Sequence, residues 1–252
     1  MAWHGREGQR IHYQDDGRGD TVVLLPGWGG SVIELNQLRS ELADGFRIVA
    51  VDLPGSGRSQ PQPRHYTAGY YLQDAQTLLG LLDELGVGAA HLVGFSDGGE
   101  DALLMAALRP ARVLSTVTWG AAGRIVASRE LLDGLTCLVD KPIEPLLTLA
   151  AYLVEAYGVE PARIMARSWS EAMSAIIDAG GDISRSQASS ITCPTLLIAG
   201  TDDPFCPPAL VREMADAIPR GKFLEVPGGG HELHRSHARW LASTIAHWLG
   251  DH

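Results

Sequence analysis

The chain has 252 residues, 45% of them hydrophobic and 20% charged, which is enough for one large domain with a substantial core and excludes an extended disordered chain. Its 30 acidic against 20 basic residues give a formal charge of −10 with no run of Lys or Arg. That balance argues against a nucleic-acid partner or an anionic membrane surface.

Arg10 to Gln14 alternates, and the turn-rich Asp15 to Asp20 follows it, which predicts an early hairpin. Thr21-Val22-Val23-Leu24-Leu25 is a continuous apolar run of the kind found in strands buried on both faces. It stops at Pro26-Gly27-Trp28-Gly29-Gly30, after which Ser31 caps a predicted helix through Leu42. Arg47 to Val51 is the next strand, and it ends in Asp52-Leu53-Pro54-Gly55-Ser56-Gly57-Arg58-Ser59. Thr67 to Leu85 reads as a long helix closed by Gly86. A strand then runs into Gly94-Phe95-Ser96-Asp97-Gly98-Gly99 and a helical pattern from Glu100 to Leu108, followed by a strand from Val113 to Trp119.

From Arg124 to Ser190 the pattern turns helical, with periodicities over Arg129–Val139, Ile143–Tyr157 and Ala162–Ala179. Alternation resumes with a strand from Pro194 to Gly200, a helix over Ala209–Ile218, a strand over Lys222–Val226 and a helix over Ser236–Leu249. Strands alternating with helices predict an α/β fold, a mainly parallel sheet flanked by helices with right-handed crossovers. The expected organisation is a core of residues 1–123 and 191–252, with residues 124–190 inserted as a helical cap.

Gly94-Phe95-Ser96-Asp97-Gly98 between a strand and a helix reads as a nucleophile elbow. Serine needs a base, normally His, oriented by a carboxylate. The two later strands end in Gly200-Thr201-Asp202-Asp203-Pro204 and Pro227-Gly228-Gly229-Gly230-His231, the chain order Ser, acid, His expected of such a sheet. Asp203, beyond the strand-closing Gly200 and directly before Pro204, is favoured over Asp202 as the acid; Asp202 is read as a turn residue. His231 is favoured over His234 and His237, which are read as surface or capping residues. His4, His12, His65, His91, His247 and His252 show no partner in sequence. The oxyanion of an acyl-transfer intermediate needs N–H donors, expected from the backbone of Asp97 and of Trp28. Trp169, Met165, Met173 and Tyr157 are candidates to line an apolar pocket.

Cys137, Cys193 and Cys206 are an odd number without metal-ligand spacing, so a reduced cytoplasmic protein is expected, with no metal and no cofactor. No stretch of about 18 apolar residues is present, and Met1 to Glu7 lacks the apolar core of a signal peptide.

The elbow, the Pro26-Gly27 loop, the segment from Asp52 to Ser59, the helical insertion and the late Asp and His together resemble the α/β-hydrolase family. Gly94 to Gly99, Leu24-Leu25-Pro26-Gly27, Trp119-Gly120-Ala121, Cys193 to Ile198 and Gly230-His231-Glu232-Leu233-His234 are further similar to the valacyclovir hydrolase (biphenyl hydrolase-like) group. That resemblance implies hydrolysis of small α-amino-acid esters, with the Asp97 carboxylate binding the substrate ammonium. The expected function is a serine hydrolase with a Ser96–His231–Asp203 triad and an acyl-enzyme intermediate on a small-molecule ester. The alternatives are carbon–carbon bond hydrolysis or perhydrolysis on the same triad, and a triad-retaining ligand-binding protein or biosynthetic cyclase or isomerase. Oligomeric state is not encoded in any pattern found.

Overall fold

The computed structural model describes residues 2–144 and 146–252. The strands are β1 (Ala2–Arg6), β2 (Gln9–Asp16), β3 (Thr21–Leu25), β4 (Arg47–Val51), β5 (Ala90–Phe95), β6 (Val113–Trp119), β7 (Thr195–Gly200) and β8 (Gly221–Val226). They form one sheet in the order β1-β2-β4-β3-β5-β6-β7-β8. Only the β1–β2 and β2–β4 pairs are antiparallel. The others run parallel.

The apolar runs read as strands are buried on both faces because successive side chains point to opposite sides. Val23, Leu25, Val49, Val51 and Leu92 enter one core with the helices α2 (Tyr70–Glu84) and α3 (Asp97–Leu108). Val22, Leu24, Ile48, Ala50 and Val93 enter the other. That second core is completed by α1 (Asn36–Leu42) and α9 (Ala238–Gly250). The helices α4 (Arg129–Thr136), α5 (Leu147–Tyr157) and α6 (Val159–Asp178) lie between β6 and β7, and α7 (Pro208–Ala217) and α8 (Leu233–Ser236) follow. No described helix is long and apolar enough to cross a membrane. The three cysteines are unpaired.

Several expectations shift. The early hairpin turns at Glu7-Gly8, pairing β1 with β2, whereas residues 17–20 connect β2 to β3. Helix α1 starts at Asn36 rather than being capped by Ser31: residues 32–35 form turns, with Val32 N–H donating to Asp52 Oδ1 (2.6 Å) and Glu34 N–H to Ser31 O (2.9 Å). The last predicted helix starts at Ala238 rather than Ser236, which closes a separate short helix over Leu233–Ser236. The periodicity over Ile143–Tyr157 crosses Pro145, which, like Met1, lies outside the described residues; the helix there is α5.

Register fixes the working edge. Leu25 pairs with Gly94, Phe95 with Trp119, Trp119 with Ile198 and Gly200 with Val226. The loops beginning at Pro26, Ser96, Gly120, Thr201 and Pro227 therefore leave the same carboxyl-terminal edge, where parallel sheets place their ligand sites.

Ser96 has φ 51° and ψ −120°, the only non-glycine residue with positive φ among those described. The turn closes because its neighbours lack Cβ. A Cβ on Gly94 would overlap the Gly98 carbonyl, and one on Gly98 would overlap the carbonyls of Leu25 and Pro26. Those obstacles are backbone and cannot swing aside. Gly98→Ala is therefore expected to cost about 3 kcal/mol, whereas Gly88→Ala, with open space at its Cβ, should shift thermal unfolding little. Equal midpoints for the two variants would contradict the packing account.

Candidate active site

Strain at Ser96 lifts its side chain off the end of β5. Its Oγ lies 3.0 Å from His231 Nε2, and His231 Nδ1 lies 2.9 Å from Asp203 Oδ2. The other carboxylate oxygen, Asp203 Oδ1, accepts the backbone N–H groups of Phe205 (2.9 Å) and Cys206 (3.0 Å). Burial alone would raise the Asp203 carboxyl. The His231 hydrogen bond and charge, with the Cys206 and Phe205 N–H groups, outweigh it and leave the group below its ordinary value. A carboxylate held ionised behind an imidazole fixes the ring's tautomer and supports its positive charge, so the ring can take a proton from a hydroxyl at Nε2. Asp202, by contrast, is exposed and accepts from Thr201 Oγ1 (3.0 Å), a turn contact.

The loop Pro26-Gly27-Trp28 faces the elbow across the sheet edge. Gly98 N–H donates to Pro26 O (3.1 Å), and a Cβ on Gly27 would come within 2.8 Å of the Phe95 ring. The structure records no acceptor for the backbone N–H of Trp28 or Asp97 among the described residues. Asp97 begins α3, where the helix dipole adds partial positive charge.

The Asp97 side chain is buried beside Ser96. Its Oδ2 accepts from Tyr70 Oη–H (2.7 Å) and Trp169 Nε1–H (3.1 Å), and its Oδ1 from Tyr71 Oη–H (2.9 Å). Burial raises this carboxyl, and the three donors, with more distant Arg64, only partly counter it. No cation touches it among the described residues; Arg64 pairs with Asp74 instead (2.6 and 2.7 Å). Trp169, which reaches in from α6, also stacks on Trp28, with ring centroids 4.6 Å apart.

Ser96, His231, Trp28 and Asp97 border a cavity of about 540 Å³. Its far wall is apolar and comes from the helical segment, including Leu131, Leu135, Leu149 and Met173. Of the four residues expected to line a pocket, Trp169 and Met173 do so. Met165 is fully buried elsewhere in the core, and Tyr157 donates its hydroxyl to Gly29 O (2.7 Å), bracing the Trp28 loop instead.

Residues 22–244 match the alpha/beta hydrolase family. The chain belongs to that family. Serine hydrolase BPHL of Homo sapiens is 29% identical over 241 residues, covering 90% of this chain and 78% of that protein. The 2-hydroxy-6-oxononadienedioate/2-hydroxy-6-oxononatrienedioate hydrolase of Cupriavidus pinatubonensis is 29% identical over an alignment of 268 positions, covering 96% and 91%. Among solved structures, the enol-lactonase from Burkholderia xenovorans LB400 superposes with a TM-score of 0.80 at 25% identity, covering 99% of this chain and all of that one. The chain is accordingly a hydrolase.

Sequence reasoning missed several residues of this hydrolase site. His234 is not a surface residue: it is buried, and its Nδ1 accepts from Trp119 Nε1–H (3.4 Å). Burial holds it down to about 3, so the ring is neutral. Among the described residues, two trios of side chains bring donor atoms within 4.8 Å, Asp203/Cys206/His231 and Glu34/Glu232/His234. Their chemistry does not fit a metal. The first trio already makes the Asp203–His231 contact, and in the second the His234 Nδ1 contact leaves the proton on Nε2, so that nitrogen has no lone pair to give.

Glu100, one turn into α3, is buried and borders the cavity. Its Oε1 accepts the N–H groups of Ala122 (2.8 Å) and Gly123 (2.9 Å), and its Oε2 accepts from Ser184 Oγ (3.4 Å). These partners sit where the helical segment leaves β6 and where it returns, so one carboxyl ties both ends. Burial, only partly offset by those hydrogen bonds, raises Glu100 from 4.5 to about 7. A raised value in the fold means that folded protein retains a proton the unfolded chain releases. The group's stabilisation is complete below its unfolded value and is lost as pH rises through about 7. Glu100→Gln keeps an acceptor for the two N–H groups, so its thermal midpoint should exceed wild type at about pH 8 and match it at about pH 4. Unchanged pH dependence of unfolding in the variant would contradict this assignment.

Proposed function

We propose that the protein hydrolyses small carboxylic esters through an acyl-enzyme on Ser96, with a preference for esters whose acyl group carries a free amine. The observation that carries the reading is the continuous chain Ser96 Oγ–His231 Nε2 (3.0 Å) and His231 Nδ1–Asp203 Oδ2 (2.9 Å) beside a half-open cavity. His231 removes the Ser96 proton as Oγ attacks the ester carbonyl. The negative charge that forms on the carbonyl oxygen is received by the backbone N–H groups of Trp28 and Asp97. His231 then returns its proton to the departing alcohol, and a water, activated by the same ring, releases the acid. Residues 124–190 act as the cap that gives the cavity its apolar wall, and the three unpaired cysteines suit a cytoplasmic setting.

The amine preference rests on charge. Asp97, Asp202 and Glu232 border the cavity, with Glu100 and Glu34 raised by burial to about 7, against Arg124 and Arg235. Asp97 in particular is a buried carboxyl satisfied by neutral donors alone, so an ammonium group adds the one interaction its site lacks. The same charge balance disfavours a dianionic substrate such as the dioate named for the Cupriavidus relative, which leaves carbon–carbon bond hydrolysis the weaker reading.

Asp97→Asn preserves the shape and the backbone N–H while removing the carboxylate charge. It is expected to lower kcat/KM about 30-fold or more for aminoacyl esters, the value of a lost charge-assisted contact of about 2 kcal/mol. The matched N-acetylated esters should change little. Steady-state kinetics on the paired substrates checks this, and equal losses on both would remove the amine from the assignment.

A further inference from the structure

Glu34 is a second acid at the cavity with no part in the reaction as drawn. It sits in the turns that precede α1, and its carboxylate folds back under the Trp28 loop. Oε2 accepts Gly27 N–H at 2.9 Å. Gly30 N–H closes the same loop onto Gly27 O (3.0 Å), and a Cβ on Gly30 would overlap Glu34 Oε2. The loop from Gly27 to Gly30 is thus wrapped around this carboxylate, and Gly30 is bare where the two meet.

The other oxygen, Oε1, faces His234 Nε2 at 3.9 Å. Because His234 Nδ1 receives the Trp119 indole N–H, Nε2 carries its proton toward Glu34. The His234 ring also lies against Phe95, which touches His231 as well (4.5 and 5.0 Å between centroids). Glu34 therefore spans from the Trp28 loop to the segment that carries His231. Burial raises its carboxyl to about 7 against the pull of the Gly27 N–H; Arg235 and His231 also lower it, while Glu232 raises it. Tyr152 of α5 faces it from the helical segment. Burying a carboxyl is costly unless its partners repay it, and here its shortest hydrogen bond goes to the residue next to Trp28.

We propose that Glu34 is a positioning residue for the oxyanion site, its carboxylate holding Gly27 from beneath so that the neighbouring Trp28 N–H points to where the oxyanion forms. The proposal rests on the reading above, in which Trp28 N–H is a donor to that oxygen. A displaced donor weakens transition-state binding while leaving ground-state binding intact.

The test compares the purified full-length wild type with Glu34→Ala, Glu34→Gln and Glu34→Asp. Three quantities are read: kcat/KM on an activated ester, the inhibition constant of a trifluoromethyl ketone that forms a tetrahedral adduct, and the dissociation constant of the product acid. Glu34→Ala should lose kcat/KM and ketone affinity in parallel, by about a hundred-fold, with product affinity unchanged. Glu34→Gln retains a carbonyl acceptor for Gly27 and should recover most of both. If Glu34→Ala does not fold, Glu34→Asp, which withdraws the carboxylate by one methylene, should show the same parallel loss. Wild-type ketone affinity in folded Glu34→Ala or Glu34→Asp would overturn the proposal, whatever their thermal stability. A wild type that neither turns over esters nor reacts with a fluorophosphonate would instead overturn the hydrolase reading on which it rests.

Discussion

The site depends on one backbone constraint, the positive φ of Ser96 between β5 and α3. A non-glycine residue pays of order 1–3 kcal/mol to sit in such a sparsely populated region. Here the surroundings enforce it: Ser96 N–H is bound to Trp119 O (2.9 Å), Gly98 N–H to Pro26 O (3.1 Å), and Gly94 and Gly98 let three segments of backbone meet without a Cβ between them. The same closeness brings the Pro26–Trp28 loop against the start of α3 beside Ser96. Backbone strain, nucleophile direction and oxyanion donors are thus aspects of one turn in the proposed reaction.

Around that turn the protein concentrates buried acids rather than cations. Asp97 is supported by Tyr70, Tyr71 and Trp169, Glu100 by the two ends of the helical segment, and Glu34 by the Trp28 loop. Each carboxyl is raised by burial, and each is held by neutral donors. Asp203 differs from these three: the His231 hydrogen bond and charge, with the Cys206 and Phe205 N–H groups, outweigh its burial and lower it. In the proposed reaction the acid behind His231 stays ionised, while Asp97 at the cavity wall receives a substrate's own positive charge. Trp169 connects the two halves of the arrangement. One indole donates to Asp97 and stacks on Trp28, so the helical segment reaches both the carboxylate and the Trp28 loop.

The central strands and the order Ser96, Asp203, His231 were legible in the sequence because they rest on local regularities, period-two burial and the turns that end each strand. Parallel register then brings those turns to one edge, so loops more than a hundred residues apart meet without any pairwise signal. What the sequence concealed depends on contacts across the fold. Glu34 lay within a helix that Ser31 would cap; the helix instead starts at Asn36, and the turns before it bring Glu34 to Gly27. Tyr70 and Tyr71 fall inside the helix predicted from Thr67, and nothing local tied them to Asp97. His234, three residues from His231, resembled a surface residue until Trp119 and Phe95 covered it. Met165 and Trp169 share a helix one turn apart, yet only tertiary packing decides which of them meets the cavity.

In the proposed reaction Ser96 becomes acylated during turnover. Rapid quenching of the enzyme with an aminoacyl ester, followed by peptide-mapped mass spectrometry, tests it directly. An acyl adduct is expected only on the peptide containing Ser96, formed before the acid product and decaying as that product appears. Ester turnover with no adduct at Ser96, or full activity in Ser96→Ala, would contradict it.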